Sequence, residues 1–504
     1  MSSSPLQKRT FAESFIRFFE RWTPNSMVIA YALTAIVAVL ALILTPTPFF
    51  SLERAGRDAA VAYSIVEAWG MGFWSLLELA MQMALILITG SVIASSPPVR
   101  RFLQKVARVP NSMGQAVLLT LLVVPIVNWF HFGLGIMLGI QLGRQIVLAA
   151  RQKGYKMHHP LFVSLLYALN ISGIGISQIA PILGASPGAL HRLLFPHNPY
   201  VSVSTGPGTY AYVPIHDVLP YSVPLTNSAF LIQNIIMCVV VLAVVFAVMW
   251  MLKPKKESAI MDAPDALIAE IEAQNKIGMA KPSITSPAGM LDNSIIPSLV
   301  LGGFGLLWVV WFFAADGQLN FNNFNMLMII IGVLLCGSPN QFIKSVQASI
   351  AATWGIIIQF PFYAGIFGLL AFTGLNDVIV GFFRAFATEG NWPFISYVYT
   401  SIVNIAVPSG GPKFFLVAPH ALEVAAGFAQ ACADTGAISD NSRYIGTMLI
   451  SYVAGDVSTN GFLPFWALPY LAMFKLDFRQ MLPFTAFGSI AAYVVFTIFL
   501  LFVF

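Results

Sequence analysis

Two ionisable residues, Lys413 and Asp456, interrupt long apolar stretches of this sequence. A charged side chain at membrane depth costs roughly 2.5–3.5 kcal/mol on insertion scales, so such a residue usually has a function. Lys413 is placed to neutralise a bound anion; the alternatives are a structural ion pair with Glu423 or a side chain that extends to the membrane surface. Asp456 lies in GDVSTNG (455–461) and is a candidate ligand for Na+ or for a transported proton, or else a helix cap. The predicted cation site consists of Asp456, Ser458, Thr459 and Asn460.

Two short segments, NWFHFG (128–133) and NIAVPSGGPKF (404–414), break apolar runs, and each begins with an asparagine after Ile-Val. Unpaired backbone groups are tolerated at membrane depth only where protein or a polar cavity satisfies them, so two matched breaks favour a binding surface. Kinks and close-packing points are the alternative use of glycine and proline in membrane helices. The predicted substrate site consists of Asn128, Gly133, Gly135, Asn404, Ser409, Gly410, Gly411 and Lys413, with Phe360, Phe362 or Tyr363 against the alkyl part of the ligand.

The composition is that of a membrane protein. Hydrophobic residues make up 58% of the 504 residues and charged residues only 9%, whereas soluble domains carry about 25% charged residues. Apolar runs of about 20 residues, the length of a transmembrane helix, occur at 27–44, 232–252, 295–315 and 484–504. The sequence therefore predicts an all-α polytopic membrane protein, and not a β-barrel with short alternating segments. The net charge of +5 is spread in small groups beside apolar runs, so we expect the lipid bilayer and no nucleic acid as partner.

Basic residues predict the topology, because Lys and Arg favour the cytoplasmic side of short loops. If most of the 26 basic residues face the cytoplasm, the N-terminus is inside and the C-terminus outside. Each of the two pairs of apolar segments, within 117–149 and within 394–429, must then return to the side of the membrane that it leaves, as re-entrant hairpins do. The predicted units are an interfacial helix at 1–24, a first transmembrane repeat at 25–252, a cytoplasmic linker at 253–293, a connecting span at 294–321 and a second repeat at 322–504.

The two halves of the chain show weak sequence similarity to each other. FWSLLELAMQMALILITG (73–90) corresponds to TWGIIIQFPFYAGIFGLL (353–370), and YALNISGIGIS (167–177) corresponds to YVAGDVSTNGF (452–462). The predicted topology runs 73–90 inward and 353–370 outward, so the repeats are expected to be inverted. Inverted repeats with interrupted helices at matching positions indicate a secondary transporter.

Four segments carry a resemblance to a known family: MQMALILITG (81–90), QFPFYAGI (359–366), NIAVPSGG (404–411) and PFWALP (464–469). The chain resembles the bacterial short-chain fatty acid transporters over nearly its whole length. This resemblance implies uptake of small monocarboxylates such as butyrate or acetoacetate across the inner membrane. It also implies the fold of the ion-transporter superfamily, with re-entrant hairpins and elevator-type movement. The sequence departs from the family pattern at 128–133, at Pro412 and Lys413, where a glycine and a histidine are usual, and at 455–461.

These observations predict a secondary active transporter of small organic anions, coupled to Na+ or H+ and without another cofactor or a metal. We do not expect an enzyme, because Lys413, Asp456 and His131 form no known catalytic pattern. The alternatives are an exchanger of another organic anion on the same fold, an intramembrane enzyme and a passive channel. The oligomeric state stays open, with a homodimer as one candidate.

Overall fold

The structure is a computed structural model. It describes residues 26–504 except 55–61, 76, 195–199, 207–208, 215–218, 256–258, 278–285, 316, 318–320, 351–352, 409 and 436–440. The predicted interfacial helix at 1–24 lies outside the described residues. The regular secondary structure of the described residues is helical, apart from a short antiparallel hairpin of strands β1 (Tyr200–Gly206) and β2 (Thr209–Pro214).

The helices of the first half are α1 (Ser26–Leu44), α2 (Ile65–Phe73), α3 (Leu77–Ser95), α4 (Pro97–Ala107), α5 (Met113–Phe130), α6 (Phe132–Lys153), α7 (His159–Tyr167), α8 (Leu169–Ser172), α9 (Ile179–Ala185), α10 (Ala189–Leu194) and α11 (Ile232–Met251). The connection to the second half contains α12 (Asp265–Ile277) and α13 (Pro287–Asp292).

The helices that follow are α14 (Ile295–Ala314), α15 (Phe321–Cys336), α16 (Pro339–Ser349), α17 (Trp354–Phe372), α18 (Leu375–Arg384), α19 (Trp392–Ala406), α20 (Gly410–Thr435), α21 (Asn441–Ser458), α22 (Leu468–Phe474) and α23 (Phe478–Phe502). Short 3-10 turns lie at Leu225–Asn227, Asn460–Phe462 and Phe465–Ala467.

Five helices in the described part of the chain are long and apolar enough to cross a bilayer, namely α5, α6, α11, α14 and α23. Two bent pairs bring the total to seven when each pair counts as one span: α3 bends by 70° into α4, and α17 bends by 69° into α18. The prediction of an all-α polytopic membrane protein is confirmed.

The two bends have different local causes. Pro97 and Pro98 follow α3, and proline at the start of α4 is compatible with a new helix but not with continuation of the old one. At the second bend Gly374 has φ 76°, a left-handed conformation that glycine adopts without steric cost. Each half therefore contains a bent helix pair that precedes a helical hairpin, although the sequence breaks the helix by different means.

The segments predicted as re-entrant form the helical hairpins α5–α6 and α19–α20. Re-entry stays a prediction, because α5 and α6 are each long and apolar enough to cross a bilayer. In the first, His131 leaves the helical conformation, and its ring accepts a hydrogen bond from the Leu134 N–H as the N-cap of α6. In the second, Val407 is extended (φ −125°, ψ 82°), because the proline at 408 disfavours a helical conformation in the residue before it. Both tips are thus set by local chemistry that the sequence displays.

Each hairpin is followed by a broken helix. The backbone N–H and carbonyl groups that have no intrahelical partner at the break form hydrogen bonds with other parts of the protein. After α8 the chain is non-helical to Gln178, and the Ile176 N–H donates to the Trp129 carbonyl of the first tip at 2.9 Å. After α21 the Gly461 N–H donates to Ser489 Oγ at 3.0 Å, and Thr485 Oγ1 donates to the Gly461 carbonyl at 2.7 Å. Non-helical backbone at membrane depth requires such partners.

Among the five candidate spans, α6 is the most enclosed, with 78% of its apolar window buried inside the protein. In α14 the corresponding share is 22%, and long apolar side chains such as Phe304 and Leu307 are exposed. Helix α6 therefore belongs to the centre of the molecule and α14 to its lipid-facing edge.

Helix α12 docks on the C-terminal end of α6 through ion pairs. Arg144, which is 1% exposed, donates from Nη2 to Glu270 Oε1 at 2.8 Å, and Lys475 Nζ lies 2.8 Å from Glu270 Oε2. Arg151 and Asp265 form a further pair at 2.9 Å. Partial burial acts to raise the pKa of Glu270, but the hydrogen bonds and charges of Lys475 and Arg144 outweigh it and hold that pKa below its usual value.

Candidate functional site

A polar cavity of about 40 Å³ lies between the two halves of the chain. It is far smaller than the roughly 300–1,000 Å³ pockets that hold drug-sized ligands. Its wall is formed by Met83, Asn128, Phe132, Leu169, Asn170, Gln178, Ile179, Gly410, Gly411, Asp456, Val457, Asn460 and Trp466. The fold thus brings five predicted site residues together: Asn128, Gly410, Gly411, Asp456 and Asn460.

Asn404 ties the second hairpin to the break after α21. Its Nδ2 lies 2.8 Å from the Asp456 carbonyl, 2.8 Å from Thr459 Oγ1 and 3.1 Å from Asn460 Oδ1. Asn404 is completely buried. Its place is therefore behind the cavity wall, where it holds the tip against the broken helix.

Lys413 is also completely buried, in the first turn of α20. Its Nζ donates to Asp456 Oδ1 and to Asn404 Oδ1, both at 2.5 Å. The partner of this lysine is Asp456 and not Glu423, which the sequence suggested as the structural alternative. The Tyr452 ring lies below the amine, with 5.5 Å between Nζ and the ring centroid.

Three of the four predicted cation ligands, Asp456, Thr459 and Asn460, accept hydrogen bonds from protein donors, whereas the Ser458 hydroxyl has no hydrogen-bond partner among the described residues. Lys413 donates to Asp456 Oδ1, while Asn404 donates to the oxygens of Thr459 and Asn460 and to the Asp456 carbonyl. Ser458 is fully buried and lies against Tyr397. An amine and an amide occupy the place in which the sequence predicted an ion, and ion binding there stays a prediction.

The first hairpin tip is held in an equivalent way by its own broken helix. The Phe132 N–H donates to Ser177 Oγ at 2.8 Å, and a Cβ added to Gly173 would lie 3.1 Å from Asn128 Nδ2. Asn128 is 7% exposed, and within the described part of the chain its Oδ1 accepts no hydrogen bond. Whereas Asn404 is saturated with protein partners, Asn128 faces the cavity with hydrogen-bonding capacity to spare.

Gly133 and Gly135 lie where the protein packs closely around the first tip. The Gly135 N–H donates to the His131 carbonyl at 2.9 Å, so it is already used inside the helix. A Cβ at Gly135 would lie 2.5 Å from Asn128 Cα, and one at Gly133 would collide with Ile86. The Gly135 N–H is therefore not free for a ligand, and both glycines allow α6 to pack closely behind the tip. Substrate binding at the Gly133 N–H stays a prediction.

Gly410 and Gly411 begin the 26-residue helix α20 and line the cavity. The first N–H groups of a helix lack intrahelical partners, and the helix dipole favours negative charge there. A Cβ at Gly410 would lie 2.9 Å from Asp456 Oδ2, so only glycine permits this close approach. The predicted contribution of Ser409 lies outside the described residues.

The three aromatic residues that were predicted as alternative contacts of the alkyl group lie on different sides of α17. Phe360 and Tyr363 are buried against Phe465, with ring centroids 6.0 and 5.4 Å away. Phe362 points to another side of α17 and packs on Tyr31 and Phe73. Residues three apart share a helix face but residues one or two apart do not, so Phe362 lies on another side of α17 than Phe360 and Tyr363. Contact of one of the three rings with the substrate stays a prediction.

Other apolar side chains line the cavity instead. Phe132 and Trp466 pack edge to face across it with centroids 6.0 Å apart, and Leu169 and Val457 complete the apolar wall. No ligand-binding role was predicted for these four residues.

Asn170 and Gln178 are polar residues of the cavity wall that the sequence reasoning did not assign. Asn170 Nδ2 donates to Tyr470 Oη at 3.1 Å, and the Asn170 carbonyl accepts from Asn460 Nδ2 at 3.4 Å. The sequence feature that could have indicated these two wall residues is the run of polar residues in NISGIGISQ (170–178), within an otherwise apolar segment.

Asn128 and Leu169 also form part of the wall of an apolar groove of about 320 Å³. The groove is open to the protein surface, where its wall residues Ile126, Phe130 and Val239 are exposed. The wall also includes Trp129, Phe230 and Leu242. Asn128 thus lies between a small polar cavity and a larger apolar groove, an arrangement that suits a ligand with a polar head and an apolar tail.

Broken helices that meet at a cavity with polar wall residues, in a helical membrane protein, are typical of a membrane transport protein. Residues 8–503 match the family described as short chain fatty acid transporter, and the chain belongs to that family. The family resemblance deduced from the sequence is confirmed. The protein is a multi-pass membrane transporter and not an enzyme.

Two relatives have been provisionally named short-chain fatty acid transporters. The protein of Escherichia coli (strain K12) is 30% identical over 96% of this chain and 97% of its own length. That of Haemophilus influenzae is 27% identical over 93% of each chain. Among solved structures, the Alcanivorax borkumensis YdaH transporter is 14% identical with a TM-score of 0.40, over 96% of this chain and 98% of that chain.

Proposed function

We propose that this protein is a secondary active transporter of short-chain monocarboxylates, such as butyrate or acetoacetate, across the bacterial cytoplasmic membrane. The observation that carries the proposal is the cavity to which both halves contribute, with Asn128 from the first tip and Gly410 and Gly411 from the second. Family membership supports the substrate class, since the family is that of the short chain fatty acid transporters.

The carboxylate would lie at the N-terminus of α20. Backbone N–H groups at Gly410 and Gly411 would donate to its oxygens, and the helix dipole would stabilise its charge. Asn128 would orient the ligand, because an amide can donate from nitrogen or accept at oxygen. Asn170 and Gln178 would supply further polar contacts from the first half.

The acyl chain would lie along Phe132 and Leu169 toward the apolar groove beyond Asn128. Each methylene that leaves water contributes about 0.8 kcal/mol, or roughly fourfold in affinity. Binding should therefore tighten from acetate to hexanoate until the apolar space is filled. A thermal-shift series with C2–C6 monocarboxylates measures this trend.

Transport is proposed to be symport with a cation bound near Asp456, so that the loaded site crosses the membrane without net charge. Elevator-type movement of the two hairpins with their broken helices would carry the site, in an inverted-repeat architecture with the N-terminus in the cytoplasm. A homodimer would provide the fixed scaffold. The matched hydrogen bonding of the two tips to their broken helices supports movement as one unit.

Proteoliposomes with the purified protein test the proposal. Labelled butyrate should accumulate above equilibrium when a cation gradient is imposed, and unlabelled butyrate inside should accelerate exchange. Uptake that never exceeds equilibrium would indicate a channel, and exchange without net uptake would indicate an antiporter.

A further inference from the structure

Another cavity with polar walls, of about 270 Å³, lies at the bend between α3 and α4. Two cations, Arg100 of α4 and Lys344 of α16, belong to its wall, and none of the described residues that line it is acidic. Hydroxyl and amide side chains make up most of the rest, among them Ser91, Ser95 and Gln141. We call this cavity the basic vestibule. Its wall carries net positive charge, which attracts anions and repels cations.

Two side chains of the wall are available to a ligand. Lys344 is exposed and Gln141 is half-buried, and neither has an ion pair or a side-chain hydrogen bond within the described part of the chain. The carboxylate nearest to the wall is that of Glu270, which accepts from Gln274 Nε2 at 3.3 Å. Glu270 is already paired with Arg144 and Lys475, so it does not cancel the charge of the vestibule.

Helices α3 and α6 line both the basic vestibule and the polar cavity between the tips. Met83 of α3 and Phe132 of α6 contribute to the polar cavity. Ser91 and Gln141 of the same two helices contribute to the vestibule. At 1.5 Å per residue, these positions lie about 12–14 Å apart along the helices. The two cavities are therefore neighbours along one pair of helices.

Helix α12 forms one side of the vestibule. Asn275 of α12 exchanges two hydrogen bonds with Gln145 of α6, at 3.2 and 3.1 Å, and both residues line the vestibule. The volume of about 270 Å³ approaches the roughly 300–1,000 Å³ of pockets that hold small molecules, whereas the polar cavity has about 40 Å³. In this conformation a short-chain acid therefore finds more room in the vestibule than between the tips.

We propose that the basic vestibule is a second binding site for the transported carboxylate, on the path between the polar cavity and the side of the protein on which α12 docks. The identity of this anion rests on the proposed function. Lys344 and Arg100 would hold the carboxylate through charge-assisted hydrogen bonds, with Gln141 as a neutral donor. The acyl chain would lie against Met473 and Ala348, the apolar residues of the wall. Inorganic phosphate has no group to place against these two residues.

The first experiment places a thiol in the wall of the vestibule. Ala348→Cys, in a variant without native cysteines, is treated with a small uncharged methanethiosulfonate reagent in the presence and absence of butyrate. Butyrate should slow the modification. Lys344→Gln should raise the butyrate concentration for half-protection roughly tenfold, the loss expected for one hydrogen bond to a charged group. Lys344→Arg should keep the wild-type value, and so should Lys105→Gln, which removes an exposed lysine of α4 outside the wall.

The second experiment separates the vestibule from the polar cavity. Gly410→Ala narrows the polar cavity, because the added Cβ would lie 2.9 Å from Asp456 Oδ2. In this background butyrate should protect the thiol of Ala348→Cys at the same concentration as before. It should no longer protect the thiol of Asn128→Cys, which lines the polar cavity.

Three results overturn the proposal: no protection of Ala348→Cys by butyrate, protection that Lys344→Gln leaves unchanged, or protection that Gly410→Ala abolishes. Protection by inorganic phosphate without protection by butyrate also overturns it, because the vestibule would then hold another anion. Failure of the proposed function is a different result. Butyrate would then protect neither thiol, and labelled butyrate would not accumulate in proteoliposomes.

Discussion

The side-chain amine of Lys413 lies 2.5 Å from Oδ1 of Asp456, although the two residues are 43 positions apart in the chain. One belongs to the second hairpin tip and the other to the broken helix that follows it. This contact joins two sequence features that had been assigned separate roles, an anion partner and a cation ligand. It makes the two predicted subsites one electrostatic unit.

Removal of one member of this pair should cost far more stability than removal of both. Lys413→Met leaves a buried carboxylate without its partner, which costs roughly 3–5 kcal/mol in proteins. The double variant Lys413→Met/Asp456→Asn replaces both charges and should recover a large part of that loss. Thermal unfolding of the purified variants, combined as a double-mutant cycle, measures the coupling. Equal losses in the single and double variants would show that the pair contributes nothing.

The sequence predicted the two breaks because their causes are local. Pro408 disfavours a helical conformation at Val407, and a proline needs no tertiary contact to act in this way. The pairing of Lys413 with Asp456 depends on how α20 packs on α21, which residue types alone do not specify. The same holds for Phe362, whose direction depends on which face of α17 is turned inward.

The two tip asparagines should behave differently, although both follow Ile-Val. Asn404→Ala would remove the two hydrogen bonds that an amide nitrogen can donate among its contacts with Asp456, Thr459 and Asn460, at roughly 1–3 kcal/mol for each bond. Asn128→Ala should change stability by less than about 1 kcal/mol, because its Oδ1 has no partner in the described chain. It should instead raise the KM for butyrate roughly tenfold, since a hydrogen bond to a charged group contributes about 1.5–3 kcal/mol. Unfolding midpoints and uptake kinetics separate these effects, and equal destabilisation by both variants would contradict the assignment.

A methyl group at Gly410 should block the site. The added Cβ would lie 2.9 Å from Asp456 Oδ2, so the carboxylate or the tip must move, at a cost of about 1–3 kcal/mol. We expect Gly410→Ala to reach the membrane but to lose uptake. Gly303→Ala in α14 is the matched control, since its Cβ would meet nothing within 4 Å. Uptake by Gly410→Ala at the wild-type rate would argue against a tight tip at Asp456.

Docking of α12 should weaken in acid. The pKa of Glu270 is below its usual value of 4.5, because Lys475 and Arg144 outweigh the opposing effect of burial. The carboxylate therefore stabilises the docked helix above about pH 4.5, and this contribution is lost as the pH falls through the lowered pKa. Hydrogen exchange of α12 should be slower in wild type than in Glu270→Gln at pH 7, and the difference should shrink toward pH 4. A difference that grows in acid would mean that the sign is wrong.

Substrate protection of cysteines from the two halves tests most directly whether they share one site. Asn128→Cys and Val457→Cys, each in a variant without native cysteines, place a thiol on either side of the cavity. Butyrate should slow modification of both thiols by a small methanethiosulfonate reagent, with the same concentration dependence, and should leave a Gly303→Cys control unaffected. Protection of one cysteine without the other, or of neither, would contradict a common carboxylate site between the hairpin tips.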